Sequence, residues 1–159
     1  MSNTSAWRAR YPILDERRLA AEQALMARSY PGFRLTWTGG RLAFRGPLNS
    51  NYGSRFQVEI QLPERYPEAE PHLWILSPKL PEGTEHRYVT GRICAHAQPF
   101  IPHRTTAATM VSVFAGWLFR FDRQRLEGVG WDVPLGPEGT RMGVNPDGSI
   151  YLDSRGARR

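Results

Sequence analysis

Seven residues near the middle of the chain, Phe56-Gln-Val-Glu-Ile-Gln-Leu62, alternate apolar and polar side chains without a fault. That period predicts a strand with Phe56, Val58, Ile60 and Leu62 on one buried face. Gln57, Glu59 and Gln61 then face water. The next nine residues, PERYPEAEP, hold three prolines and cannot continue any regular element. The rest of the fold must therefore be assembled on either side of this strand and its proline-rich exit.

Upstream, Ile13–Ser29 favours a helix with Leu14, Leu19, Ala21, Ala24 and Leu25 as its apolar stripe, and Glu16, Arg17, Arg18 and Glu22 on the other side. Pro12 suits its start and Pro31-Gly32 stops it. Residues 1–12 show no clear element. Arg34–Thr38 and Arg41–Arg45 read as strands about a Gly39-Gly40 turn, with Gly46-Pro47 and NSNYGS as a loop. Downstream, His72–Leu76 reads as a fourth strand and Ser77–Gly83 as a loop. From Thr105 the period becomes helical: Val111, Phe114, Leu118 and Phe121 recur at three and four, supported by Ala115 and Trp117. Thr105 or Thr106 caps that helix, which is expected to end near Arg123. The tail from Gly128 is rich in Gly and Pro, and Asn145-Pro-Asp-Gly148 predicts a small hairpin of Arg141–Val144 with Ser149–Leu152. Helix, four strands, an irregular stretch and a second helix indicate an α+β class.

At 159 residues the chain is large enough to bury a single core without staples. No apolar run approaches the ~18 residues that span a bilayer. The first residues lack a signal peptide's apolar core, so a cytoplasmic protein is expected. The net charge is +6, and every basic residue except Lys79 is Arg. These are dispersed apart from Arg155, Arg158 and Arg159, whereas nucleic-acid binders concentrate charge on a face or in a run. An Arg-rich nucleic-acid-associated protein is thus a minor alternative.

The stretch Thr84–Thr106 holds the one cysteine, Cys94, and three of the four histidines, His86, His96 and His103. A lone cysteine is either a small buried hydrophobe or a nucleophile. The Cys/His spacing is no standard zinc pattern, and no metal or cofactor is expected. A papain-like hydrolase would set its cysteine at a helix N-terminus, but Cys94 precedes a loop well ahead of the helix. His96 and His103 read as surface or hydrogen-bonding residues.

In order, Phe44-Arg-Gly-Pro47, Leu62-Pro63-Glu-Arg-Tyr66-Pro67, Pro71, Tyr88-Val-Thr-Gly91-Arg-Ile93-Cys94, Phe100-Ile-Pro102 and Thr105 resemble the ubiquitin-conjugating enzyme family. The resemblance implies a UBC-like α+β fold: an N-terminal helix, a four-stranded antiparallel meander, an active-site loop and a central helix, here followed by a non-helical C-terminal tail with a hairpin. It divides the chain into an N-terminal segment 1–12, a conjugating domain 13–127 and a Gly/Pro-rich extension 128–159. It also makes Tyr66-Pro67 a bond that is commonly cis in the family. The family's His-Pro-Asn falls on Thr84-Glu85-His86, and its two C-terminal helices have no counterpart. Those departures look like divergent bacterial relatives found beside activating enzymes and deconjugating peptidases, often in antiphage operons.

The implied activity is transfer of a ubiquitin-like protein. Cys94 would accept its C-terminus as a thioester from an activating enzyme and pass it to an amine on a target protein. Thiol–thioester exchange is close to isoenergetic, so the cysteine needs access and some thiolate more than a strong base. His86, at the Asn position, is then a candidate hydrogen-bond donor to the tetrahedral intermediate, a base toward the amine, or a plain loop residue. Asp122 would be the acidic residue acting on the acceptor amine. Arg17 and Arg18 would meet the activating enzyme, and Tyr88, Phe100 and Pro102 would contact substrate or partner. A deconjugating metallopeptidase is a further implied partner, and no membrane is. The rival reading is a non-catalytic module of the same fold that binds a ubiquitin-like protein or partner.

Overall fold

The computed structural model describes residues 6–95 and 100–155. Helix α1 (Glu16–Ser29) is followed by strands β1 (Arg34–Thr38), β2 (Arg41–Asn49), β3 (Arg55–Gln61) and β4 (His72–Ser77). Helix α2 (Ala107–Glu127) and a hairpin of β5 (Arg141–Val144) and β6 (Ile150–Asp153) complete the chain. The four strands form one antiparallel sheet in the order β1-β2-β3-β4. The architecture is α+β with an N-terminal helix, a four-stranded sheet and a central helix, as expected.

The central strand behaves as its alternation requires: Phe56, Val58, Ile60 and Leu62 are buried. Leu48 stands opposite Phe56, Phe44 opposite Ile60 and Leu73 beyond Ile60, so one sheet face is apolar across three strands. That face meets α2, with Phe56 and Phe121 edge to face at 6.3 Å. Glu59 is a correction to the expected wet face. It is buried because Arg45, its cross-strand partner, lies over it and donates from Nε at 2.7 Å.

The N-terminal helix starts at Glu16 rather than Ile13. Asp15 caps it, its carboxylate accepting the Arg18 N–H at 2.7 Å, which leaves Leu14 to bury ahead of the first turn. Its buried face is Leu19, Glu22 and Met26, while Ala21 and Ala24 are exposed. Residues 1–12 also differ from expectation where they are described. Trp7–Ala9 is a turn of 3-10 helix, and Trp7 and Tyr11 enter the core. The Tyr11 hydroxyl donates to the Leu62 carbonyl at 2.6 Å and accepts the Leu42 N–H at 2.8 Å, which pins this segment to the sheet.

Strand β2 runs on through Gly46-Pro47, which pair with Val58 and Gln57 instead of forming a loop. Pairing with β1 ends at Arg45, so Pro47 has no β1 partner and its missing N–H costs no ladder bond. Gly46 is required there, since a Cβ would collide with the Phe33 ring. Tyr66-Pro67 is cis, and so is Ser77-Pro78.

Thr106 is the cap of α2, accepting the Thr109 N–H at 3.2 Å. The helix passes Arg123 and ends at Gly128, which adopts the left-handed conformation (φ 70°). The terminal hairpin forms one residue later on its second strand than the turn signal suggests. It is tied to the end of β2 by the Asn49 N–H on the Gly148 carbonyl at 2.8 Å. Among the described residues, no helix is long and apolar enough to cross a membrane.

Candidate active site

The cysteine is presented by a tight hairpin built from local sequence. Tyr88 donates its N–H to the Arg92 carbonyl and Gly91 to the Tyr88 carbonyl, both at 2.8 Å. Gly91 takes φ 94°, a conformation open to glycine and strained for other residues. Ile93 is buried and donates to the Leu73 carbonyl at 2.8 Å, which fastens the hairpin to β4. Cys94 follows directly and donates its N–H to the His86 carbonyl at 2.9 Å. The same carbonyl accepts the Trp117 indole N–H at 3.0 Å. The backbone at Cys94 is thus fixed to the sheet through Ile93 and to α2 through His86. The thiol is half-exposed, which is not the environment of a buried hydrophobe.

On one side the Tyr88 phenol neighbours Cys94 across a small crevice, and the nearness of the Cys94 side chain pushes the Tyr88 pKa up. The Arg92 guanidinium lies over the Tyr88 ring at 5.3 Å and reaches Glu70 at 3.4 Å. On the other side opens a cleft of about 500 Å³ lined by His86, Trp117, Arg120, Trp131 and Asp132 as well as Cys94. Its inner wall is α2 and its outer wall is the tail. Buried Arg123 straps the tail down, donating to the carbonyls of Pro134 (2.7 Å), Val133 (2.6 Å) and Gly130 (3.5 Å). Trp131 donates its indole N–H to Gln124 at 2.7 Å and packs against the His86 ring (4.4 Å) and Trp117 (5.3 Å).

Of the residues singled out from sequence, Cys94, His86 and Tyr88 come together here. His86 has φ 55° and serves the site through its carbonyl, while its ring is packed on Trp131. Asp122 is fully buried elsewhere on α2, accepting from Ser50 at 2.5 Å and from Arg125 at 3.0 Å. Arg17 is exposed on α1, but Arg18 turns inward. Its guanidinium donates to Glu22 (3.0 Å) and to the carbonyls of His103 and Thr105 (3.1 Å each), so it holds the end of the loop that follows the cysteine. Phe100 is half-buried against the core and Pro102 is exposed. His103 is exposed, and His96 lies outside the described residues. Trp117, Arg120, Arg123 and Trp131 build the cleft without a sequence signal for that role: Trp117 has the helical spacing of a core residue, and Trp131 sits in a tail without periodicity.

The family model for Type II CBASS E2 proteins matches residues 22–135. No curated protein matches the sequence. Among solved structures, a chain of a complex of the Vps23 UEV with ubiquitin is similar at 16% identity with a TM-score of 0.47, over 71% of this chain and 89% of that one. The family match covers well over half of the chain, and it takes in the cysteine hairpin, α2 and the strapped segment of the tail through Pro134. The chain therefore belongs to the type II CBASS E2 proteins, whose role is E2-like and conjugation-related in antiphage defence.

Proposed function

We propose that the chain carries the C-terminal acyl group of a ubiquitin-like modifier as a thioester on Cys94 and transfers it to an amine of a target protein. In loading, the Cys94 thiolate attacks the carbonyl carbon of a donor thioester. A new C–S bond forms, the donor C–S bond breaks, and the donor leaves as a thiolate that takes up a proton. In transfer, a neutral amine attacks the same carbon, a C–N bond forms, Cys94 departs as thiolate, and the amine loses its extra proton to water or a nearby base. The observation that carries this reading is the half-exposed Cys94 thiol at the edge of a cleft, on a backbone pinned from two sides. The neighbouring Tyr88 hydroxyl is the group available to hydrogen-bond the sulfur as it acts as nucleophile and leaving group in turn.

The partners in this reading are the modifier, an E1-like activating enzyme and the amine of a target, with a deconjugating metallopeptidase in the same pathway. The conjugating unit is taken as 13–127, and the extension 128–159 adds the outer wall of its cleft. Arg17 is left to contact a partner, and Arg18 is assigned to positioning the post-cysteine loop. Incubation with the cognate activating enzyme, modifier and ATP is expected to give an adduct one modifier heavier on non-reducing gels. Thiol reductant should remove it, and Cys94→Ala should prevent it. Absence of a reducible adduct, or its persistence in Cys94→Ala, would sink the reading and leave the non-catalytic module.

A further inference from the structure

The cleft beside Cys94 contains a charge that acyl transfer itself does not use. Arg120 projects from α2 one turn beyond Gly116 and is half-buried. One of its terminal nitrogens donates to the Gly116 carbonyl at 3.3 Å. Among the described residues no carboxylate lies within ion-pair distance of it. Asp132, on the opposite wall, is exposed and makes no ion pair with it. A second guanidinium, Arg123, sits on the same helix and is already occupied by three carbonyls of the strap. Burial, and then the nearness of Arg123, lower the Arg120 pKa from the usual guanidinium value. Its positive charge is therefore under-compensated in place.

Arg120 is thus a cation lining the same cleft as the Trp117 and Trp131 rings, a cleft of the size that takes peptides and small ligands. A chain attached to Cys94 has its last residues beside this cleft for as long as the thioester lasts. An acceptor amine only visits.

We propose that Arg120 recognises an acidic side chain within the last few residues of the acyl donor that loads Cys94. The guanidinium offers paired N–H donors to a carboxylate, and the Trp117 and Trp131 rings lining the cleft offer apolar surface to the adjoining peptide. Arg120 is thus a specificity residue for the donor. The inference rests on the thioester reading, and the test separates the two.

The probes are short peptides ending in a glycine thioester of N-acetylcysteamine, an uncharged leaving thiol, with Glu, Gln or Lys placed in turn at each of the four positions before the glycine. Acylation of Cys94 is followed by intact mass. The cysteine sulfur displaces N-acetylcysteamine, which leaves as thiolate and is protonated by water. In the wild type, Glu is expected to react about tenfold faster than Lys at one position, since a half-buried charge pair falls in that range. The ratio should fall toward one in Arg120→Gln, invert in Arg120→Glu, and survive in Arg120→Lys. It should also shrink in the wild type at high salt, a reading that needs no variant. A wild-type ratio near one at every position, or an undiminished preference in Arg120→Gln, would overturn the assignment while leaving Cys94 acylation intact. Failure of every peptide to acylate Cys94 would instead remove the thioester reading, and the assignment with it.

Discussion

Glu22 places a carboxylate in the interior, 2% exposed, and meets it with three donors. The Arg18 Nε (3.0 Å) and the Tyr66 hydroxyl (2.7 Å) reach one oxygen, and the Ala107 N–H at the start of α2 reaches the other at 2.8 Å. An anion at a helix N-terminus is stabilising, so α1 caps α2 across the core. The Tyr66 phenol has its pKa raised, first by burial and then by the Glu22 charge. Glu22→Ala leaves Arg18 and the helix N-terminus without their partner and is expected to cost about 3–5 kcal/mol in urea unfolding. Glu22→Gln keeps the shape and should cost less. None of this was legible from periodicity, which sets a glutamate among arginines on the wet side of a helix. Two of the three donors lie 44 and 85 residues away along the chain, and only tertiary structure brings them in. Cys94 was legible, because the residues that build its hairpin sit next to it. His86 was legible as a position, but its carbonyl does the work, and side-chain chemistry gives no sign of that.

At the scale of elements, strong local patterns located β3, β1 and the apolar face of α2. The errors came where another element decided the outcome. The Phe33 ring fills the space over Gly46 and allows β2 to continue, and Arg45 covers Glu59. Strand β4 carries a titratable group whose environment depends on this packing. The His72 pKa is lowered by burial and then by the charges of Arg92 and Arg41. A lowered folded-state value means that the unfolded chain takes up the proton first, near the ordinary histidine value of ~6.5. Its contribution to stability is therefore full above that pH and is lost as the pH falls toward the folded-state value. The urea midpoint should drop between about pH 7.5 and pH 5.5, and the drop should be smaller in His72→Gln.

Across the whole molecule, the tail completes the site. A boundary after residue 127 separates pattern from lack of pattern, but the cleft crosses it. Residues 130–134 have no period and no helical propensity, so nothing local announces that they are held down. Arg123 does most of this, with two firm bonds and one longer one to carbonyls, and Gln124 adds a bond to the Trp131 indole. Arg123→Ala leaves those carbonyls without their donor and is expected to cost about 2–3 kcal/mol. Limited proteolysis should then cut between Gly128 and Gly139 faster than in the wild type, and Cys94 loading should slow as the outer wall opens. The strap has an optical consequence as well. It holds the Trp131 indole 5.3 Å from Trp117 at 61°, with the imidazole of His86 4.4 Å away. Two chromophores so close share their excitation, and a neighbouring imidazole quenches emission when it is protonated. The protein thus carries an intrinsic spectroscopic gauge beside Cys94, one expected to report occupancy of the cleft and the closure of its wall without any added label.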